Sequence, residues 1–206
     1  MNTIRAHGLA WAAAALLSAC ASPAPRYYSL ADTEAPAALS ASTGTAGFIE
    51  LAPVAMPERF VRPQLVVRQK TSGSGPEVDI LEQHRWSSSF ENELRDALGS
   101  GIAQRLGAVD ATKAGRPRGQ PVTRIAVQLR QLDAVESSRV DAGFSWTVRR
   151  TEENPAAACQ LFVSEPVGGG IDELARGTQR ATARLADAIA RSVTAMQANA
   201  ANACPP

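Results

Sequence analysis

Two consecutive stretches of alternating side chains constrain the fold of this chain more than any other feature. In the first, Ile125, Val127 and Leu129 alternate with a set that includes Arg124, Gln128 and Arg130, and in the second apolar residues take every other position from Val140 to Val148. A period of two predicts strands that bury one face and leave the other to water or to a partner. The turn signal between them and a third strand near residues 159–163 complete a predicted antiparallel meander.

Helical periodicity marks two further segments. In the first helix, which follows capping serines at positions 87–89, apolar residues recur every four residues from Phe90 to Leu106. A longer stripe runs from Ile171 to Met196. Because Gly99 and Gly101 each cost about 1 kcal/mol relative to Ala inside a helix, we expect a neighbouring element to approach closely there. The chain therefore predicts an α+β fold: a two-layer domain with a mostly antiparallel β-sheet packed by two α-helices.

Shorter runs add strands before the first helix. Residues 48–54, 65–68 and 78–81 are rich in β-formers, and residues 26–30 form an aromatic island in an otherwise linker-like segment. Aromatic residues are unusual in a linker, so we expect this island to add a short strand to the domain. Trp86 and Trp146 are predicted to be core anchors rather than exposed lipid contacts.

The first twenty residues have the pattern of a lipoprotein signal. Arg5 precedes an apolar run from Gly8 to Leu17, and Leu17-Ser18-Ala19-Cys20 closes it. A run of about ten apolar residues is too short to span a bilayer, which needs about twenty. We expect cleavage before Cys20 and transfer of a diacylglyceryl group to its thiol. The alternatives are an ordinary secretory signal with a chance cysteine, or a buried helix.

This pattern also predicts the domain organisation and the location. We expect residues 1–19 to be removed, residues 20–47 to supply the lipid anchor, a short strand and a tether, residues 48–198 to form the domain, and residues 199–206 to be a tail. The flexible part of the tether, residues 33–46, would span about 20 Å as a random coil. Ala21, where an Asp would resemble an inner-membrane retention signal, favours the outer membrane.

Charge and cysteine content restrict the partners. Without Arg5 the mature chain has 20 basic and 20 acidic residues, which gives no reason to expect nucleic acid as a partner. In the oxidising periplasm Cys159 and Cys204 could form a disulfide, but spacing alone leaves open a buried thiol and a separate tail thiol.

Catalytic chemistry has little support. His84 is the one histidine of the predicted mature chain, and a hydrolase would have to combine it with Ser87 and Asp79. No sharp nucleophile turn surrounds that serine, and His84 is expected in a turn beside Trp86. The glycines at 168–170 lack the Lys of a phosphate-binding loop. We therefore expect no enzyme, no cofactor and no metal site.

Four arginines are the candidates for partner recognition. Their guanidinium groups could dock a partner protein or a lipid head group, since arginine binds carboxylate and phosphate in a bidentate manner. The alternative is a set of solvated arginines, and the sequence leaves both open. The four residues are Arg59, Arg62, Arg68 and Arg85.

Several of these segments, in order, resemble the ABC-type transport auxiliary lipoproteins, a PqiC/YmbA-like family. They are the lipobox, Tyr27-Tyr28-Ser29-Leu30, the proline-punctuated stretch from Ile49 to Arg68, Arg85-Trp86, and Trp146-Thr147-Val148. The resemblance covers nearly the whole predicted mature chain.

The resemblance implies a function. It points to a non-enzymatic outer-membrane lipoprotein that serves an MCE-type ABC system for lipid transport between the two membranes. The implied partners are an MCE-domain protein and the ABC permease complex, with phospholipid contact and self-association left open. The alternative is an envelope structural or regulatory lipoprotein, for example one that activates a cell-wall synthase.

Overall fold

The part of the chain that the computed structural model describes contains eight strands and two long helices. That part comprises residues 23–31, 47–68, 75–115, 118–150, 153–198 and 202–204. The elements are β1 (Arg26–Tyr28), β2 (Phe48–Leu51), β3 (Gln64–Val67), β4 (Asp79–Trp86), α1 (Phe90–Leu106), β5 (Val109–Asp110), β6 (Val122–Val135), β7 (Arg139–Arg150), β8 (Glu153–Pro166) and α2 (Ile171–Gln197).

The alternating stretches form the centre of a five-stranded sheet with the order β5-β2-β6-β7-β8. Strands β6, β7 and β8 are the predicted antiparallel meander, in which Leu129 lies opposite Phe144 and Phe144 opposite Leu161. The third strand is longer than its apolar segment indicated. At the other side of β6 the sheet is parallel, because β2 pairs with both β6 and β5 in that sense.

A smaller sheet has the order β1-β4-β3, with β1 parallel and β3 antiparallel to β4. Two isolated parallel bridges, Ala55 to Gln128 and Arg68 to Val135, connect the segments on either side of β3 with the free edge of β6. The predicted α+β class is confirmed. There are two sheets and not one, and both are mixed. The sequence pattern did not indicate the parallel pairs, because they join residues that are distant in sequence.

Both helices cover one face of the larger sheet. Helix α1 contacts β2 and β5, α2 contacts β6, β7 and β8, and the two helices pack on each other. Trp146 is 2% exposed and donates from Nε1 to Ser192 Oγ on α2 at 3.3 Å. Trp86 is 5% exposed, so both tryptophans are core anchors as predicted.

Close approach of neighbouring elements explains the glycines of α1. A Cβ at Gly101 would lie 3.3 Å from that of Ala186 on α2, and one at Gly99 would collide with the Asp110 side chain. The helix begins where Ser89 Oγ accepts a hydrogen bond from the Asn92 amide at 3.3 Å. These contacts agree with the predicted start of the helix and with its predicted close contacts.

Candidate functional site: the docked N-terminal strand and the open sheet face

The segment Arg26–Leu30 is built into the domain through backbone contacts. The carbonyl of Tyr28 accepts a hydrogen bond from the Ser87 amide at 2.7 Å, and that of Ser29 accepts one from Gln179 Nε2 at 2.7 Å. Leu30 is 2% exposed, within the main core. Burying a leucine contributes about 1.5–3 kcal/mol. The predicted strand therefore exists, and strand β4, α1 and α2 all hold it.

The Tyr28 side chain adds a polar junction with α2. Its hydroxyl donates to Asp172 Oδ1 at 2.7 Å and lies 2.8 Å from His84 Nδ1. Burial, followed by the hydrogen bond to Asp172, raises the pKa of Tyr28 to about 12. The same hydrogen bond is the main cause that lowers the pKa of Asp172, which also pairs with Arg26 at 2.8 Å.

Glu93 on α1 forms the second polar junction. Its carboxylate accepts hydrogen bonds from the Leu30 amide at 2.9 Å, from Ser87 Oγ at 2.5 Å and from Ser88 Oγ at 3.1 Å. Burial acts to raise the pKa of this carboxyl, but the hydrogen bonds outweigh burial and hold the pKa below its ordinary value. The ionised Glu93 carboxylate thus holds the end of the N-terminal segment in place.

The three residues of the hydrolase hypothesis have other partners. His84 lies within β4, not in a turn, and contacts Tyr28. Ser87 donates to Glu93. Asp79 begins the strand that contains His84, about 17 Å away at the rise of an extended strand. They do not form a catalytic triad. Among the described residues, no three His, Cys, Asp or Glu side chains group to hold a metal.

The four candidate arginines lie at two ends of the smaller sheet. Arg85 is opposite Gln64 at the start of β3, whereas Arg68 follows its end. Arg68 pairs with Asp133 at 3.1 Å, and Arg85 donates to the Glu82 carbonyl at 2.7 Å.

The remaining two arginines differ in environment. The Arg59 guanidinium stacks 4.5 Å from the centre of the Phe60 ring, and Nε of Arg62 is buried without a hydrogen-bond partner. Two of the four arginines are therefore engaged by acceptors of the domain itself.

Two of the three cysteines lie in the part of the chain that the structure describes. Cys159 on β8 and Cys204 are joined by a disulfide, with Cα atoms 5.4 Å apart. This bond returns the chain end after α2 to the sheet. Cys20, the predicted acylation site, lies outside the described residues.

The face of the larger sheet opposite the helices carries a trough of about 850 Å³. Its floor consists of short side chains on three neighbouring strands. Ala126 lies opposite Thr147, and Thr147 lies opposite Ala158. Ser145, two residues before Thr147 on β7, extends the floor. Beyond the trough Phe162 is 61% exposed. The lining residues are Pro53, Ala55, Ala126, Val127, Gln128, Ser145, Trp146, Thr147, Ala158, Cys159, Gln160 and Cys204.

This trough was not predicted, because its floor appears in the sequence only as the solvent side of the strands. The signal that could have revealed it is the recurrence of small residues at the same level on three neighbouring strands. With its cysteines joined as a disulfide, the described lining carries no ionisable side chain. The trough is suited to binding an uncharged surface and not to acid–base chemistry.

Solved structures share this fold. An uncharacterized protein aligns with a TM-score of 0.65 and 17% identity, over 83% of this chain and 99% of its own. A Xanthomonas campestris protein of the family DUF330 aligns with a TM-score of 0.59 and 12% identity, over 86% of this chain and 97% of its own. No curated protein matches the sequence.

The family follows from the sequence itself. The model of the ABC-type transport auxiliary lipoprotein component matches residues 28–190, a span that runs from the docked N-terminal strand into the last turns of α2. The chain belongs to this family, as its motifs predicted, and it is an auxiliary lipoprotein of an ABC-type transport system. None of the helices in the described ranges is long and apolar enough to cross a membrane.

Proposed function

We propose that this protein is an outer-membrane lipoprotein and a non-enzymatic accessory subunit of an MCE-type ABC system that moves lipid between the two membranes. The observation that carries the proposal is the family match over residues 28–190, together with the lipobox that ends at Cys20. In this proposal an MCE-domain protein and the ABC permease complex are the partners.

The candidate catalytic side chains already have structural partners within the domain, which supports a binding role for the protein. His84 and Ser87 are both used to hold the N-terminal segment, and the trough has an uncharged lining. A surface of this chemistry recognises its partner by shape and apolar contact. We therefore assign the protein a role in assembly or lipid contact without a covalent step.

The proposed organisation begins with removal of residues 1–19 and acylation of Cys20. Each acyl chain contributes about 0.8 kcal/mol per buried methylene, so two or more chains hold a protein stably at a membrane. Residues 48–198, together with β1, would form the periplasmic domain, and residues 199–206 its tail. Ala21 favours the outer membrane.

Affinity purification from membranes in mild detergent tests the partners. We expect the tagged full chain to recover an MCE-domain protein and the permease, and a Cys20→Ala variant to recover much less of both. Recovery of a cell-wall synthase without any transport subunit would instead support the structural or regulatory alternative and overturn the transport proposal.

The trough is the place where we propose phospholipid acyl chains to make contact. A photoreactive residue at Ser145, on the floor of the trough, should crosslink to phospholipid in intact cells. The matched control is a photoreactive residue at Arg191, which is exposed on α2 on the helical side of the sheet. Equal lipid crosslinking at both positions, or none at Ser145, would contradict the lipid contact.

A further inference from the structure

The order of elements determines which part of the chain separates the domain from the anchor. Strand β1 lies between Cys20 and the segment 32–46. Because Leu30 is buried in the core and Phe48 begins β2, both ends of the segment 32–46 are attached to the same domain. Its length therefore has no effect on the distance between the anchor and the domain.

The connection to the anchor is short. Six residue steps separate Cys20 from Arg26, and six fully extended residues span at most about 20 Å. Pro23 and Pro25 lie within this stretch, and prolines favour an extended chain of about 3.1 Å per residue. The start of β1 must then remain close to the acylated cysteine.

Several loops gather at the same end of the molecule as Arg26. Arg26 pairs with Asp172 in the first turn of α2. Just before that helix, the Val167 amide donates to the Ser138 carbonyl at 3.0 Å. We call Arg26, the turn 136–138 and the connection 167–170 the anchored end.

The trough and the disulfide lie further along the molecule. Helix α2 has 27 residues, which corresponds to a length of about 40 Å. Along β8, Gln160 in the trough is about 20 Å from Pro166, the last residue before the anchored end.

We propose that the anchored end rests against the surface of the lipid bilayer, and that the trough and the C-terminal end of α2 face away from it. The inference depends on the proposed acylation of Cys20. In this arrangement residues 21–25 set the distance between the anchor and the domain, because the segment 32–46 comes after β1 in the chain. A partner that spans the periplasm would then meet the far end first.

The ion pairs of the anchored end indicate what holds it there. Arg26 pairs with Asp172, Arg139 with Asp141, and Arg176 with Glu173. Because these cations already have acidic partners, the contact with lipid depends on the covalent tether and not on attraction to anionic head groups. It should therefore persist when the anionic lipid is replaced by a zwitterionic one.

Fluorescence quenching at the bilayer surface tests the orientation. The purified acylated protein is reconstituted into phosphatidylethanolamine–phosphatidylglycerol vesicles that contain a lipid with a nitroxide on its head group. A fluorophore is attached at Ser137→Cys, in the anchored end, or at Arg191→Cys, far along α2. We expect strong quenching at position 137 and little at position 191.

Two insertions of the same ten-residue Gly-Ser sequence supply the matched control. Placed between Ser22 and Pro23, the insertion should abolish most of the quenching at position 137. Placed between Pro36 and Ala37, it should leave the quenching unchanged. Equal quenching at both labels, or equal effects of both insertions, would overturn the inference.

Flotation of the vesicles separates this result from a failure of the anchor. Protein that floats with the vesicles but shows no difference between the labels contradicts the orientation and leaves the lipoprotein assignment intact. Protein that does not float, and whose Cys20 carries no acyl chain by mass spectrometry, contradicts both.

Discussion

One hydroxyl group, that of Tyr28, connects three elements: β1, which carries it, β4 through His84, and α2 through Asp172. The sequence predicted that Tyr28 belongs to a strand, because an aromatic pair is unusual in a linker. It did not reveal the partners, which are 56 and 144 residues away along the chain. Contacts of that separation leave no local pattern in a sequence.

The ionisation of Tyr28 follows from this junction. In a Tyr27→Phe variant, Tyr28 is the remaining tyrosine, and its pKa in an absorbance titration of tyrosinate should be about 12. Because the folded pKa is raised, the stability that Tyr28 contributes is complete below pH 10 and is lost as the pH rises towards 12. A transition near 10 in the folded protein would contradict the junction, whereas that value is expected in denaturant.

Glu93 should show the opposite dependence on pH. Glu93→Gln leaves three donors facing an amide, and we expect a loss of about 1–3 kcal/mol of unfolding free energy at neutral pH. Because the folded pKa is lowered, the contribution of ionised Glu93 is present above about pH 4.5 and disappears as the pH falls through that lower pKa. Urea unfolding of the variant and the wild type should therefore converge in acid.

The control for this substitution is Glu91→Gln, which also removes a carboxylate from the first turn of α1. Its effect should be about 0.5 kcal/mol or less, as for surface substitutions in general. Equal losses for both variants would show that helix-terminal charge, and not the hydrogen bonds of Glu93, is responsible.

Among the secondary-structure elements, the sequence predicted those that have their own local pattern. Both helices, the meander and the short first strand are present, because each has its own repeating pattern or composition. The parallel pairing of β2 with β6 and of β1 with β4 was not predicted. A short strand pairs with whichever strand edge the longer elements leave free. Its partner and direction therefore depend on tertiary contacts, which a local sequence pattern does not contain.

The packing of α2 on β7 gives a test of one element against another. A Cβ at Gly177 would lie 2.5 Å from Val167 Cγ1 and 3.0 Å from Val140 Cγ2. Gly177→Ala should therefore destabilise the protein by about 1–3 kcal/mol in thermal or urea unfolding, although alanine favours the helix. The neighbouring exposed substitution Arg176→Ala should change stability by about 0.5 kcal/mol or less, and a stabilising Gly177→Ala would contradict this packing.

The disulfide attaches the segment after α2 to strand β8. It closes a separation of 45 residues, which in the chain-entropy description is worth about 4 kcal/mol. Cys204→Ser should lower the unfolding free energy by up to that amount, and a reductant should bring the wild type to the same value. Insensitivity of the wild type to reductant would show that this bond is not formed.

At the scale of the whole molecule, the lipobox and the ordered motifs were sufficient to predict the family, because they are local sequence features. The candidate site was less predictable. The trough depends on the register of Ala126, Thr147 and Ala158 across three strands. The anchored end depends on where β1 docks. The sequence shows that only residues 21–25 separate Cys20 from Arg26, but only the folded structure shows that Arg26 lies beside the first turn of α2.

We propose that acyl chains on Cys20 hold this domain at a membrane, and mass spectrometry of the mature amino-terminal peptide is the decisive experiment. We expect a peptide that begins at Cys20 and carries a diacylglyceryl group on its sulfur. An unmodified amino terminus, or one that begins at another residue, would show that the protein has no acyl anchor at Cys20.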